Sequence, residues 1–379
     1  MHLNKKPKVF ITFCMDTEGP CDDPGNDQLL KNWDSVDVAM NKLFDKDFRL
    51  SHKDSLGNIF KIGWFFLNWT GFKTNPRGRA FGYHKVRDHY LEKWGEIIND
   101  YGDEHCWHYH HPPVSGVGNE WSTKWSSSEE YNNIISRQII ERMWFPTCFR
   151  AGGTIMGPEL SHWVDEWFPF DYSNRAPLKF NEMDWSDGFS DWQPYHPNPT
   201  QFKRKGNGKR YMTRCMDLKT GLYTTGKKDI VECFEEASIR GASIFSVFDH
   251  DYRDIKNRII KLMENITSVS KKYPHIDWEY STPSKAITKL LDIEKNNIFI
   301  KTDIKNEELI VETNSAIHQE FPWIALEYSD GTFGQLYDDI KKINDRIWKI
   351  DIKNIKNLKT IGIAVSNSSG KSDVSLVNF

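Results

Sequence analysis

The stretch VFITFCMDTEG, residues 9–19, is an apolar run of strand length that ends in two carboxylates, Asp16 and Glu18. Longer segments with a helical pattern separate it from further runs of the same kind. This alternation predicts repeated βα units and a parallel sheet. The further strand candidates are KIGWFFLNW (61–69), HCWHYH (105–110), CFRAGG (148–153), PFDYSN (169–174), ASIFSVFDH (242–250) and IDWEY (276–280).

Seven strand–helix units favour a barrel of the (β/α)7 type over an open sheet. Residues 178–222 interrupt the alternation, because they are rich in Trp, Pro, Asp and Gly. We interpret them as an inserted loop region with a hairpin at KRYMTRCM, residues 209–216. The predicted helices are 36–48, 86–101, 128–143, 158–167, 229–240, 255–272 and 283–291.

Beyond about residue 292 the pattern changes to short alternating runs without helix-length spacers, which is typical of an all-β unit. The sequence therefore predicts a barrel over residues 1–291 and a small sandwich-like accessory domain over residues 292–379. The runs of this second part are IFIKTDI, ELIVETN, WIALEYS, TFGQLYD, RIWKIDI, TIGIAVS and VSLVNF.

Composition narrows the class of protein. The 379 residues carry 50 Lys and Arg against 53 Asp and Glu, and the short basic stretch 203–210 is interpreted as a solvated loop, so no nucleic-acid partner is expected. The apolar run 9–15 is too short for a signal peptide core or a membrane span. Six cysteines without CxxC spacing fit reduced thiols, and we expect a cytoplasmic protein.

Chemically active residue types occur where predicted strands end. Asp16 and Glu18 are two residues apart, so they point to the same side of an extended chain, where a divalent metal would offset their repulsion. HCWHYHHPP, residues 105–113, places His108 and His110 on one face of the third strand, with His111 within reach from the loop. Histidine is the commonest protein metal ligand, so this end of the sheet is a candidate metal site.

Two further strand ends supply a cation and an acid–base group. Arg150 precedes two glycines in FRAGG and would face the carboxylates of the first strand. His250 in FDHDYRD stands between Asp249 and Asp251, so we expect a hydrogen bond to a flanking acid to orient its imidazole.

The order of these motifs resembles that of the polysaccharide deacetylase family, the family 4 carbohydrate esterases, over about residues 7–290. The resemblance implies a deacetylase barrel and hydrolysis of an N-acetyl group from a sugar, with zinc or a similar divalent ion as cofactor. It implies that Asp16 is the base, Arg150 steadies Asp16 and His250 is the acid. The ligands that it implies are Glu18, His108 and one of His110 and His111.

Two departures from the family pattern leave alternatives open. The usual adjacent aspartates are replaced by Asp16-Thr17-Glu18, so base and ligand could be exchanged. The spacing of the histidines is compressed: strand geometry favours His110 as the second imidazole ligand, whereas the proline that follows His111 favours His111.

Three functions fit these residues. The first is a metal-dependent carbohydrate N-deacetylase that acts on an acetamido sugar or a glycan precursor. The second is a metal-containing barrel that binds glycan without turnover. The third is a metal-dependent amidohydrolase that acts on another amide, but that type expects its H-x-H pair on the first strand, where this chain has carboxylates.

Overall fold

The computed structural model describes residues 6–118, 120, 129–180, 183–218 and 224–379. Nine parallel strand segments form one sheet in the N-terminal part, and two short segments, β6 and β7, pair only with each other. In chain order the segments are β1 Lys8–Thr17, β2 Gly63–Asn68, β3 Glu104–Tyr109, β4 Cys148–Ala151, β5 Phe170–Asn174, β6 Lys179–Phe180, β7 Met183–Asp184, β8 Tyr211–Arg214, β9 Met216–Asp217, β10 Ala242–His250 and β11 Asp277–Tyr280.

The parallel strands form a nearly closed barrel. The sheet order is β8-β5-β4-β3-β2-β1-β10-β9, and β11 pairs with the first half of β1. β8 and β9 are two parts of one strand separated by Cys215; the first part pairs with β5 and the second with β10. With β8 and β9 counted as one strand, the barrel has eight strands, so the predicted count of seven is not confirmed.

The missing strand is the segment for which the sequence predicted a hairpin, and that prediction was wrong. Residues 211–217 run parallel to β5 and β10 and complete the sheet between them. The sequence of this segment is not typical of a buried strand, because it carries a threonine, an arginine and an aspartate. Arg214 is nevertheless 5% exposed: its guanidinium lies over Trp192 and donates a hydrogen bond to the carbonyl of Ser190.

Helices cover the outside of the barrel, as the apolar periodicity predicts. All seven predicted helices are present, although 36–48 divides at Asp45, whose carboxylate accepts the N–H of Phe48 at 2.8 Å and caps the second piece. Residue 128, the predicted start of the third helix, lies outside the described residues. The helices are α1 Trp33–Phe44, α2 Lys46–Ser51, α3 Lys85–Tyr101, α4 Glu129–Arg142, α5 Pro158–Trp167, α6 Lys227–Arg240, α7 Lys256–Ser270 and α8 Pro283–Leu290.

The C-terminal part consists of two four-stranded antiparallel sheets, as the alternating pattern predicts. Their orders are β12-β13-β17-β16 and β15-β14-β18-β19, and apolar side chains from both sheets form one core between them. β16 is an addition that the sequence did not predict, because its side chains are mostly exposed. The strands are β12 Ile300–Lys305, β13 Glu308–Thr313, β14 Trp323–Tyr328, β15 Phe333–Leu336, β16 Ile340–Asn344, β17 Ile347–Asp351, β18 Leu358–Ser366 and β19 Ser372–Asn378.

The outer face of the sheet that contains β14 and β18 packs against helices α4 and α5 of the barrel. Trp323 is fully buried there; its indole N–H donates to Ser136 Oγ at 3.1 Å and its ring meets Trp167 at a centroid distance of 4.5 Å. Gly362 lies so close to α4 that an added Cβ would be 2.6 Å from Ile139. The two parts therefore share a largely apolar interface, while the domain boundary at residues 291–292 stays a prediction.

Two expectations from composition concern the whole chain. The six cysteines are all buried and unpaired. Among the helices of the described ranges, none has the combination of length and apolar character that crossing a bilayer requires.

Candidate metal centre

The candidate site lies at the carboxyl ends of β1, β3, β4 and β10. Asp16 is paired in register with His250 across β1 and β10, and His108 with Arg150 across β3 and β4, while Glu18 directly follows β1. Because neighbouring parallel strands end at the same edge of the barrel, these five residues meet there. Four of them are at most 2% exposed, whereas the His250 side chain is 20% exposed.

Three side chains converge as a metal site requires. Glu18 Oε1 lies 3.4 Å from His108 Nε2 and 3.4 Å from His110 Nε2, and the two imidazole nitrogens are 3.2 Å apart. Bonds of about 2.0–2.1 Å in a tetrahedral zinc site put neighbouring donor atoms roughly 3.3 Å apart. The three donor atoms therefore fit a zinc-sized divalent ion without rearrangement.

The orientation of the two histidines is fixed from behind. The Nδ1 atom of His108 lies 2.9 Å from the carbonyl oxygen of Arg150, which can only accept, so Nδ1 carries the proton and Nε2 offers its lone pair to the centre. His110 lies directly against Gly152: a Cβ at position 152 would be 2.3 Å from its ring. The glycine in FRAGG thus makes room for an imidazole.

The structure separates His110 from His111. His110 shares the face of His108 because it is two residues further along an extended chain. His111 is buried in the segment that follows β3, and it is in neither of the metal-compatible groups found among the described residues.

Asp16 is held by Arg150, as the sequence predicts. Arg150 Nε donates to both carboxylate oxygens at 2.8 and 3.0 Å, while its Nη1 donates to the carbonyl of Tyr172 and its guanidinium lies 3.7 Å from the ring centroid of Phe248. Burial acts to lower the pKa of Arg150, but the attraction of Asp16 outweighs it and the pKa rises above its ordinary value. Asp16 therefore faces the centre beside a permanent positive charge.

His250 closes the site from the opposite side. Its Nε2 lies 3.7 Å from Asp16 Oδ2 and 3.6 Å from Glu18 Oε1, and these three residues form a second, looser group that could hold a metal ion. Its Nδ1 lies 3.2 Å from Arg253 Nη1. Because a guanidinium can only donate, a neutral His250 accepts at Nδ1 and carries its proton on Nε2, toward the carboxylates.

The expected hydrogen bond between His250 and a flanking acid is not formed. Asp249 Oδ1 lies 3.9 Å from His250 Nδ1, and the Asp249 carboxylate instead accepts the backbone N–H of His250 and a guanidinium N–H of Arg258, both at 2.9 Å. Successive side chains alternate direction along a strand, so Asp249 and Asp251 point away from the imidazole that lies between them.

Arg79 is a member of the site that the sequence did not reveal. Its Nη1 lies 2.8 Å from Glu18 Oε2, and its guanidinium lies 4.6 Å from the ring centroid of Tyr252. Burial raises the pKa of Glu18, but the attraction of Arg79, His110 and His108 outweighs it, so the pKa lies well below its usual range. Arg79 belongs to the loop after β2, whose sequence, RGRAFG, offers no spacing signal.

Asp251 has a structural role that its position at a strand end only hints at. Its carboxylate accepts the backbone N–H groups of Glu18 at 2.8 Å and Gly19 at 2.9 Å, and the hydroxyl of Tyr90 at 2.7 Å. Burial raises the pKa of Asp251 to about 6. The residue fixes the chain on which the candidate ligand Glu18 is mounted.

These features define a class: a nearly closed parallel α/β barrel with a carboxylate–histidine cluster at the carboxyl ends of its strands. No family model and no curated protein matches the chain. Membership in the polysaccharide deacetylase family therefore stays a prediction.

Solved structures are only weakly similar to the chain. PuuE allantoinase is 12% identical with a TM-score of 0.43, over 78% of this chain and 94% of that one. The Arg-specific cysteine proteinase gingipain R is 9% identical (TM-score 0.19; 98% and 83% covered), and a complex of the pro- and mature domains of Porphyromonas gingivalis RgpB is 10% identical (TM-score 0.17; 99% and 69% covered). Structural similarity this weak supports no inference about fold or function.

Proposed function

We propose that the chain is a metal-dependent hydrolase of C–N bonds, a carbohydrate N-deacetylase that removes an N-acetyl or similar acyl group from an acetamido sugar or glycan precursor. The observation that carries the proposal is the convergence of Glu18, His108 and His110 at distances of 3.2–3.4 Å beside an arginine-bound Asp16. This combination supports the assignment of three residues as metal ligands and of Asp16 as a separate base.

Each residue has a role in the proposed reaction. Glu18, His108 and His110 would hold a divalent ion, which we take to be zinc. When bound, such an ion lowers the pKa of a water molecule and polarises the acyl carbonyl. Asp16 accepts the proton of the attacking water, and Arg150 keeps the Asp16 carboxylate in place. His250, as the doubly protonated imidazolium, gives its Nε2 proton to the departing amine and becomes neutral.

The charges of the buried site support this assignment. Asp16 and Glu18 are each paired with one arginine, Arg150 and Arg79, so the four side chains together are close to neutral. A divalent ion therefore adds positive charge that the side chains do not already offset. That charge is available to stabilise the oxyanion that forms when water adds to an amide carbonyl.

The direct test is metal analysis of the purified protein together with an acetate-release screen over acetamido sugars. We expect one zinc ion per chain and acetate release that stops when a chelator removes the metal. Stoichiometric metal without acetate from any sugar would favour the glycan-binding barrel. Hydrolysis of non-sugar amides alone would favour an amidohydrolase of another specificity.

A cytoplasmic location is part of the same proposal, and six unpaired, buried cysteines support it. A cytoplasmic deacetylase would meet soluble or lipid-linked glycan precursors rather than mature wall polymer. Fractionation of cells that produce the protein would test the location.

A further inference from the structure

A group of neighbouring clefts lies at the end of the barrel opposite the candidate metal centre, where the strands begin. One cleft of about 720 Å³ is bordered by Lys8 at the start of β1 and by Lys289 and Lys295. A second, of about 300 Å³, shares Lys295 with the first and adds Lys285 and Lys371. A third, of about 140 Å³, shares Lys285 with the second and Lys289 with the first.

Some of these lysines are neutralised and others are not. Lys8 faces Glu279 at 3.6 Å, and Lys289 is paired with the same carboxylate. Within the described part of the chain, Lys285, Lys295 and Lys371 form no ion pair. Three ammonium groups thus border one cleft outside any ion pair of the described residues, while the two carboxylates that also border it, Asp103 and Glu104, are bound by Arg49 and Ser284, respectively.

The unpaired lysines are close enough to affect one another. The pKa of Lys295 is lowered by burial and then by the positive charges of Lys289, Lys285 and Lys371. Like charges brought together in the fold cost free energy, and an anion bound between them would remove that cost. The clefts also contain an available hydroxyl: Ser281 is 3% exposed, and its Oγ has no hydrogen-bond partner among the described residues.

We propose that these clefts bind a phosphate-bearing small molecule with at least two phosphoryl groups. Lysine ammonium groups bind phosphate as compact point charges with three donors each. Lys295 stands between the two larger clefts, with Lys289 on one side and Lys285 and Lys371 on the other, so a diphosphate could contact groups on both sides. The proposal is independent of the metal centre and of the reaction proposed there.

The site gives the C-terminal part a role that the barrel cannot supply alone. Lys285 belongs to α8, Lys295 to the connection between the two parts, and Lys371 to the turn between β18 and β19, where Ser369 and Gly370 also border the second cleft. The cleft is complete only when the C-terminal sheets are packed against the barrel. A bound diphosphate would therefore stabilise the assembled chain.

The test is calorimetric titration of the full chain with inorganic pyrophosphate and with ADP at low ionic strength, where ammonium–phosphate attraction is least screened. The test variant replaces Lys285, Lys295 and Lys371 with Gln. The control variant also carries three Lys→Gln changes, at Lys271, Lys341 and Lys356. These lysines lie away from the clefts, are exposed and are also outside the ion pairs of the described residues. We expect the parent and control chains to bind pyrophosphate with a Kd below about 1 mM. The test variant should bind it at least roughly tenfold more weakly.

A stability measurement accompanies the titration. Pyrophosphate should raise the midpoint of thermal unfolding of the parent chain and not that of the test variant, because a ligand stabilises only the state that binds it. Without ligand, the test variant should unfold no earlier than the parent, since it lacks the mutual repulsion. If the triple variant does not fold, Lys295→Gln alone should weaken binding at least about threefold.

Three outcomes would overturn the proposal. The first is no binding to the parent chain at about 1 mM pyrophosphate, and the second is an equal loss of pyrophosphate affinity in the test and control variants. The third is unchanged binding in the test variant, which would assign the anion to another place such as the metal centre. Tighter binding of ADP than of pyrophosphate would support a nucleoside diphosphate, and equal affinities would support recognition of the phosphoryl groups alone.

Discussion

At the scale of single residues, Glu18 is where most of the interactions of the site meet. One carboxylate oxygen faces His108 and His110, the other faces Arg79, and the backbone N–H of the residue is held by Asp251. A ligand that is fixed on every side needs little reorganisation when a metal ion binds. Residues behind the ligand are therefore expected to affect metal affinity.

Arg79→Gln tests this directly. The change leaves Glu18 Oε2 without its charged partner, so the carboxylate is free to turn away from the histidines. We expect the zinc affinity of Arg79→Gln to fall roughly 10-fold or more, the usual effect of losing a contact behind a metal ligand. The zinc affinity of Arg79→Lys should fall less. Competition titration with a fluorescent zinc chelator measures the zinc affinity of each variant. Unchanged affinity in Arg79→Gln would show that Arg79 does not support the site.

The choice between two histidines is a second prediction at this scale. His110→Gln should lose more zinc affinity than the roughly 10–100-fold typical of an outer contact, because it removes a ligand. His111→Gln serves as the matched control and should stay within about threefold of the parent chain. The reverse ranking in the same titration would assign the ligand to His111.

At the scale of elements, strand register explains why much of the site could be predicted from the sequence. Asp16, His108, Arg150 and His250 lie at the ends of apolar runs, and the ends of parallel strands meet at one edge. Arg79 could not be predicted in the same way, because its loop takes its course from tertiary contacts and not from a period in the sequence.

The closing strand of the barrel shows the other limit of the sequence analysis. Its buried polar residues make the strand hard to recognise, because Arg214 is stabilised in the interior by contacts such as those with Ser190 and Trp192. Such partners come from distant parts of the chain. Apolar patterning therefore predicted the helices and seven strands, and missed the strand stabilised by specific polar contacts.

Gly152→Ala is the prediction that belongs to this scale. The new methyl group would lie 2.3 Å from the His110 ring, so the imidazole must move and zinc affinity should fall at least roughly tenfold. Gly95→Ala, in the middle of α3, is the control, because its new Cβ has no neighbour closer than 3.8 Å. Metal binding should not change, and the protein should be more stable by up to about 1 kcal/mol because alanine favours the helix over glycine. Equal metal affinity in both variants would contradict the packing argument.

At the scale of the whole molecule, the C-terminal sheets and the barrel share one apolar interface. In β14, Trp323 and Ala325 face the barrel while Ile324 and Leu326 face the core between the sheets. The continuous apolar run WIAL is what a strand buried on both faces looks like, so the sequence held a signal for this contact. Alternation alone could not identify the surface that covers the second face.

A pH effect is expected at this interface. His318, half-buried, lies 3.1 Å from the carbonyl of Asp165 in the barrel, and burial lowers its pKa to about 4. Between that value and the unfolded pKa of about 6.5, only the unfolded chain takes up the proton, so stability falls as the pH drops through this window.

Thermal unfolding at several pH values checks the effect. Between neutral pH and the acid end of the window, the free energy of unfolding should fall by about 1–2 kcal/mol more in the parent chain than in His318→Gln. Because the imidazole is partly exposed, this loss is smaller than the whole pKa difference would give. An identical loss in both chains would show that His318 does not link the interface to pH.

The measurement that tests the central claim most directly compares Asp16→Asn with Glu18→Gln for zinc content and acetate release. If Asp16 is the base and Glu18 a ligand, purified Asp16→Asn should carry about one zinc ion per chain and release almost no acetate, whereas Glu18→Gln should be depleted of zinc. The opposite pattern would exchange the two roles within the same site. Normal zinc and normal acetate release in both variants would contradict the account, because the end of β1 would then have no part in the reaction.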